Sequence, residues 1–238
     1  LLVEMMGVSL GETIPPEYGL MIREELALGG ALAQTGSATG TRAPQGFSAL
    51  VIGAGISGIC AAIKLAEAGI SCTLIERNQR SGGVWLENRY PGAACDVPSH
   101  LYSFSFAPFD WTRFFACGSE IHQYLEKVAT DFDVLSRVRF GCEATQARYL
   151  ESSARWEVDV RHDDGRTESL RANILISAVG AFNKPRYPDV PGIESFAGAS
   201  AHTARWPAGG MDFKDKRVVV VGNGASAMQV VPAIADAV

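Results

Sequence analysis

No two cysteines in this chain stand at Cys-x-x-Cys spacing, and the five present, Cys60, Cys72, Cys95, Cys117 and Cys142, are scattered and odd in number. That removes a paired redox dithiol, a zinc knuckle and a disulfide framework, so reduced thiols, no metal site and a cytoplasmic setting are expected. No apolar run approaches the roughly 20 residues of a membrane span, so no membrane partner is expected. Positive charge is in deficit: 21 Lys and Arg against 26 Asp and Glu leave a net −5, which argues against the basic face that nucleic acid requires. The first residues carry Glu4 and no basic cluster, unlike a secretory leader. There is also no tandem short-period repeat.

What is present is enough apolar residue, 47% of 238, for the core of one large domain or two modest ones. The chain starts at Leu1 without an initiator Met and stops at Val238 inside a helical pattern, so it reads as a piece of something longer. Residues 1–46 stand apart. IPPEYGLMIREELAL begins at a Pro15-Pro16 turn and continues with moderately amphipathic helical spacing through Leu20, Glu24 and Leu28. GGALAQTGSATGTRAPQG reads as a flexible tether.

From Phe47 the pattern becomes strand, turn, helix, strand. FSALVI is a short apolar strand. The following helix puts Ile59, Ala62, Ile63 and Ala66 on one face and closes at Gly69; ISCTLIE is the next strand. Further on, SEIHQYLEKVATDF reads as a helix with Ser119 as its N-cap. RWEVDV, HDDG and RTESLRA read as a hairpin, and ILISAVG as a buried strand. KRVVVVGNGASAMQVVPAIADAV repeats strand, glycine turn and helix.

The turn Gly53-Ala54-Gly55-Ile56-Ser57-Gly58 is G-x-G-x-x-G, and Glu76 ends the next strand 76 − 53 = 23 residues later. In that context the motif predicts a dinucleotide site. Gly53 permits the turn, Gly55 lets backbone approach a pyrophosphate, and Gly58 brings helix and strand close. The N–H groups of Ile56 and Ser57 open a helix whose positive end favours an anion. Glu76 can accept both ribose hydroxyls, and its charge disfavours a 2′-phosphate, so the ligand is FAD or NAD.

After Glu76 comes RSGGVWLENRYPGAACDVPSHLYSFSF. By its residues alone, Trp85 reads as a core aromatic, Asp96 as a turn cap before Pro98, Cys95 as a buried thiol and His100 as a hydrogen-bonded structural residue. The segment also resembles the flavin-covering stretch of Baeyer–Villiger monooxygenases, which are class B flavoprotein monooxygenases. The resemblance implies that Gly83, Val84 and Trp85 lie against the isoalloxazine ring. It also implies that Asp96, with Val97 beside it, is the active-site carboxylate and that Tyr102 lines the FAD site. Many members carry a basic residue where this chain has Ala94, which leaves charge pairing to Asp96 open.

FAGASAHTARWP matches F-x-G-x-x-x-H-T-x-x-W-P at Phe196, Gly198, His202, Thr203, Trp206 and Pro207. This resembles the signature of type I Baeyer–Villiger enzymes and separates them from flavin-containing and N-hydroxylating relatives, which usually replace the Trp-Pro ending. It sits between the first dinucleotide unit and a second glycine turn, Gly222-Asn223-Gly224-Ala225-Ser226-Ala227, which begins 222 − 53 = 169 residues after the first. Ala227 is a permitted replacement for the third glycine. His202 is therefore expected to be a buried residue whose two ring nitrogens couple the domains, with Trp206 as anchor; a satisfied loop histidine is the plainer reading.

The resulting expectation is an α/β chain with two Rossmann-like domains, the first nearly complete and the second truncated. Residues 1–46 form an extension and linker, 47–190 the FAD domain, 191–210 the signature linker, and 211–238 the start of the NADP domain, with Gly222, Gly224, Ala225 and Ser226 as its cofactor residues. The resemblance implies FAD and NADPH as cofactors, with O2 and a ketone converted to an ester or lactone. Asp96 and His202 would be the catalytic-site residues, and a catalytic Arg would lie beyond residue 238, so residues 1–238 alone are not expected to be competent. The extension resembles that of 4-hydroxyacetophenone monooxygenases and is expected to serve a homodimer contact. Rival readings are an N- or S-oxygenating monooxygenase and a truncated FAD-binding fragment without activity.

Overall fold

A computed structural model describes residues 2–19, 43–182 and 184–238. The chain forms two units, Leu1–Ala43 and Pro44–Val238. In the first, α1 (Leu2–Leu10) is a helix with no buried residue, an element the sequence reading missed. Pro15 and Pro16 open a turn whose carbonyls accept from Tyr18 and Gly19. The helical spacing through Leu20, Glu24 and Leu28, and most of the tether, lie outside the described residues.

The second unit is built around β1 (Ser48–Ile52). It pairs in parallel with β2 (Ser71–Ile75) on one side and β7 (Ile174–Ser177) on the other, and the two-residue β3 (Val138–Arg139) completes a sheet of order β3-β2-β1-β7. Parallel sheets are covered on both faces, and the strand pleat sorts β1's side chains between those covers. Ala49 and Val51 pack with Ile59, Ala62 and Ile63 of α2 (Ile56–Glu67) and with Ile121 and Leu125 of α4 (Gly118–Asp131). Leu50 points the other way, to Val158, Val160 and Ala172. Those belong to an antiparallel sheet of β4 (Cys142–Leu150), β5 (Arg155–His162) and β6 (Thr167–Ala172). The result is three layers, helices on parallel sheet on antiparallel sheet, in which each fully buried Leu, Ile or Val contributes roughly 1.5–3 kcal/mol.

Three local expectations are corrected and one strand was missed. Ser119 is not the N-cap of α4: Cys117 holds that position without a side-chain bond. The Gly118 N–H bonds the Ala93 carbonyl, extending the Ala94–Cys117 bridge, and this starts the helix before Ser119. β7 is half-buried rather than buried. The predicted hairpin is present as β5–β6, but β4 was not foreseen, because most of its residues face solvent and leave no apolar alternation. Residues 218–221 form no strand: among the described residues they have no pairing partner, and Val219 is 84% exposed. A strand exists by its ladder, and β1 owes its ladder to β2 and β7.

Candidate functional site: two glycine turns and the segment between them

Gly53 has φ +103, and a Cβ there would lie 2.6 Å from the Ala178 carbonyl oxygen, so the end of β7 closes the turn from one side. A Cβ on Gly58 would come 1.9 Å from the Gly53 oxygen. Its lack of a side chain thus spares the turn's own carbonyl, more than it serves contact of helix with strand. Gly55 is the N-cap of α2 and makes no side-chain cap bond. The first N–H groups of the helix, at Ile56 and Ser57, therefore remain for an external acceptor.

Glu76 is buried, with 6% exposure. Its Oε2 accepts from the Ala54 N–H at 2.8 Å. Its Oε1 accepts from the Asn78 N–H at 2.8 Å and from Asn78 Nδ2 at 2.9 Å. The carboxylate that sequence reasoning reserved for ribose thus also braces the glycine turn, and its two oxygens, with about four acceptor sites, are not exhausted by three bonds.

The Gly82 N–H donates to the Ala54 carbonyl at 2.9 Å. Gly83, at φ +57, lies against Gly55: a Cβ on Gly83 would stand 3.0 Å from Gly55 Cα, and one on Gly55 3.4 Å from Gly83 Cα. The two glycine loops meet backbone to backbone. Gly83 caps a single turn, α3 (Val84–Glu87), which carries Trp85. Trp85 Nε1 donates to the Tyr102 hydroxyl at 3.0 Å with the rings edge-on. Burial pushes the Tyr102 phenol up, against the pull of the Trp85 bond. Asp96 and Val97 are exposed, and Asp96 makes no side-chain hydrogen bond to the described residues, so it is not a turn cap. Their segment is stitched down by Cys95 N–H to Ala116 O and Ser99 N–H to Phe114 O. Cys95 is buried and its thiol is raised by that burial. His100 is exposed and, among the described residues, its ring makes no hydrogen bond, contrary to expectation.

His202 is half-buried, and its Nδ1 accepts from the Ala204 N–H at 3.1 Å, capping the 3-10 turn Thr203–Arg205. Its ring leans on Tyr187. The expected pair of hydrogen bonds across a buried joint is not what this ring makes: among the described residues one nitrogen is used, inside its own turn. Trp206, its ring 6.2 Å from that of Phe213, packs against the buried cluster of Tyr90, Val230 and Ile234, which joins the segment before Asp96 to the helix after the second glycine turn. Beside it Arg205 meets Glu87 at 3.1 Å. Glu87 also binds Arg77 at 2.6 Å and Asn78 Nδ2 at 3.0 Å. Burial raises the Glu87 carboxyl, but the bonds from Arg77 and Asn78 and the charge of Arg205 outweigh it and leave it below its ordinary value. These groups line an open cleft of about 500 Å³.

The second turn repeats the first in backbone: Gly222 has φ +118, and Gly224 caps α5 (Ala225–Ile234) at φ −77 where Gly55 has −84. A Cβ on Gly222 or Gly224 would meet nothing within 4 Å, and Ala225 and Ser226 open the helix as α2's first residues do. Sequence reasoning missed Glu87, Arg205, Tyr90 and Gln229, whose roles come from pairings across the fold. Only Gln229 carried a positional hint, four residues into the helix that the motif begins.

A parallel sheet feeding a glycine turn and helix, with a second turn of the same form, defines a dinucleotide-binding α/β protein. The family model for flavin-binding monooxygenase-like proteins matches residues 48–237, and the chain belongs to that family. It is 45% identical over 239 residues to the monooxygenase y4iD of Sinorhizobium fredii, an alignment spanning 100% of this chain and 35% of that protein. It is 42% identical over 186 residues to a Baeyer–Villiger monooxygenase of Streptomyces coelicolor, covering 77% of this chain and 35% of the relative. Among solved structures, a cyclohexanone monooxygenase aligns with TM-score 0.73 and 39% identity, over 80% of this chain and 38% of that one. A steroid monooxygenase bound to NADP aligns with TM-score 0.72 and 40% identity, over 80% and 37%. The chain therefore spans about a third of the length of these relatives. Among the described residues no helix is long and apolar enough to cross a membrane.

Proposed function

We propose that the protein is an FAD- and NADPH-dependent Baeyer–Villiger monooxygenase: a ketone, O2, NADPH and a proton give an ester or lactone, NADP+ and water. The observation that carries this reading is the place of the signature. Trp206 packs against the buried cluster in which Tyr90, ahead of the Asp96 segment, meets Val230 and Ile234 behind the second glycine turn. A cyclohexanone monooxygenase, a steroid monooxygenase bound to NADP and an enzyme complex with FAD and NADP share this fold at 38–40% identity, which supports the cofactor pair.

The residues fit the flavin dinucleotide. The uncapped start of α2 offers N–H groups to a pyrophosphate. Gly55 and Gly83 leave a backbone-lined surface that side chains would fill. Glu76 offers acceptors to ribose, and its charge repels a 2′-phosphate. The flavin supplies the transfer of reducing equivalents and the activation of oxygen, while the protein supplies geometry and electrostatics. In that division Gly53, Gly55, Ile56, Ser57, Gly58 and Glu76 bind and orient. Gly83, Val84, Trp85 and Tyr102 would hold the flavin and exclude water, and Asp96 and Val97 would lie at the active site. Gly222, Gly224, Ala225 and Ser226 receive the nicotinamide dinucleotide. His202 shapes the turn that delivers Trp206 to its cluster.

The proposed limits are 47–190 for the flavin domain, 191–210 for the signature linker and 211–238 for the start of the nicotinamide domain. Residues 1–46 are assigned a homodimer contact and the protein a cytoplasmic place; removing residues 1–46 is expected to alter the sedimentation profile and spare the flavin spectrum, and loss of FAD with an unchanged profile would contradict that role. Supplying the protein, with this chain in its full-length context, with NADPH and either a cyclic ketone or a tertiary amine decides the reaction. Ester formation from the ketone supports it; turnover of the amine alone assigns an N-oxygenating monooxygenase instead.

A further inference from the structure

Among the described residues the His202 ring hydrogen-bonds only its own turn, so the groups that tie α5 to the flavin-side segment must be sought elsewhere. One side chain makes that connection by directed bonds. Gln229, on α5, accepts from the Tyr90 hydroxyl at 2.7 Å and, more weakly, from the Ala94 N–H at 3.4 Å through the same Oε1. Its Nε2 donates to the Ala94 carbonyl at 2.9 Å. One amide thus holds both polar groups of one backbone residue, as a strand partner would. The approach is close enough to require glycine opposite: Gly92, at φ +79, would with a Cβ stand 2.5 Å from the Gln229 carbonyl oxygen and 3.0 Å from Ala233 Cβ.

Apolar contact alone would keep α5 in place, since Tyr90, Val230, Ile234 and Trp206 already form a cluster. That attraction is non-directional and leaves sliding and rotation of the helix loosely set. Hydrogen bonds carry angular preference, and those of Gln229 fix the register of α5 against Ala94. Ala94 in turn is bridged to Cys117, and Asp96 follows two residues later. The path from the helix of the second glycine turn to the Asp96 segment is therefore short and polar.

We propose that Gln229 is a positioning residue that sets the nicotinamide-side helix in register with the flavin-side segment, a role that rests on the functional reading above. Hydride transfer demands reacting atoms about 3–3.5 Å apart, and a 1 Å misplacement can cost about 10²-fold in rate. Affinity for either cofactor does not depend on that register to the same degree.

The test uses the flavin-loaded protein, with this chain in its full-length context, and three variants, Gln229→Ala, Gln229→Glu and Tyr90→Phe. Flavin stoichiometry is read first. NADP+ is then titrated while the flavin difference spectrum is followed, and flavin reduction is timed at saturating NADPH. Gln229→Ala is expected to keep its flavin and its NADP+ dissociation constant, to lose most of the NADP+-induced spectral change, and to be reduced about 10-fold or more slowly. Tyr90→Phe, lacking one bond, falls between parent and Gln229→Ala and serves where the latter does not fold. In Gln229→Glu the acceptor bonds remain and a protonated carboxyl regains the donor to Ala94, so the spectral response recovers as pH falls; a merely structural role would instead lower flavin stoichiometry and leave the saturated reduction rate of the loaded protein unchanged. An unchanged spectral response and reduction rate in Gln229→Ala overturn the role. So does a weakened NADP+ affinity with a normal saturated rate, which would make Gln229 part of the binding site. A parent protein without a flavin band overturns the functional reading, and the positioning role with it.

Discussion

At Glu76 a buried carboxylate holds the Ala54 N–H of the glycine turn, and in the proposed function its remaining acceptor sites take a ribose. Charge-assisted hydrogen bonds contribute roughly 1.5–3 kcal/mol each. Glu76→Ala is therefore expected to weaken flavin binding by at least about 10-fold in a fluorescence titration; an unchanged dissociation constant would place the ribose elsewhere. Glu87 is the other carboxylate that matters, and it titrates below its ordinary value because Arg77, Asn78 and Arg205 hold its charged form against burial. A depressed folded-state value means that its stabilisation is present above the unfolded carboxylate range, near about 4.3, and is lost as pH falls through the lower folded value. Glu87→Gln should accordingly lower Tm at pH 7 and flatten the acid limb of the Tm profile. Profiles that run parallel from pH 7 to pH 3 would show that Glu87 does not contribute this way. The signature's spacing pointed to His202 and Trp206 but not to this knot, because Glu87, Arg77 and Arg205 are ordinary surface residue types until the fold brings them together.

At the scale of elements, legibility followed periodicity. β1, α2, β2 and the β5–β6 hairpin could be read because their apolar residues repeat at strand or helix spacing and one face of each is buried. β4 could not, since it is mostly solvated and bears a register shift between Ala144 and Gln146. Residues 218–221 show the reverse error: four consecutive valines have the propensity for a strand, yet pairing makes a strand and none is available among the described residues. Helix α4 began before its best capping residue because a tertiary bond at Gly118 outweighed local preference. Within β1 the central alternation gives a direct check. Leu50 is the residue turned toward the antiparallel layer, so Leu50→Ala should destabilise by about 2–5 kcal/mol in chemical denaturation. A loss well under 1 kcal/mol would mean that the two sheets are not packed through it.

For the whole molecule, the site is a set of backbone approaches more than a set of side chains. Gly53 meets Ala178, Gly55 meets Gly83, and Gly92 meets Gln229. The sequence could suggest the first two through motifs but not the third, which joins residues 137 apart. The first two approaches shape the first glycine turn and bring Gly83, which precedes Trp85, against it, and the functional reading depends on that turn being a flavin cradle. The most direct measurement is flavin per protein chain, by visible absorbance, in the purified parent and in Gly55→Val. The branched side chain would press on Gly83, whose Cα already lies 3.4 Å from a Cβ at that position, and would cover the surface offered to the pyrophosphate. The account predicts a parent that carries FAD and a Gly55→Val protein that folds with little or none; equal flavin in both would contradict it.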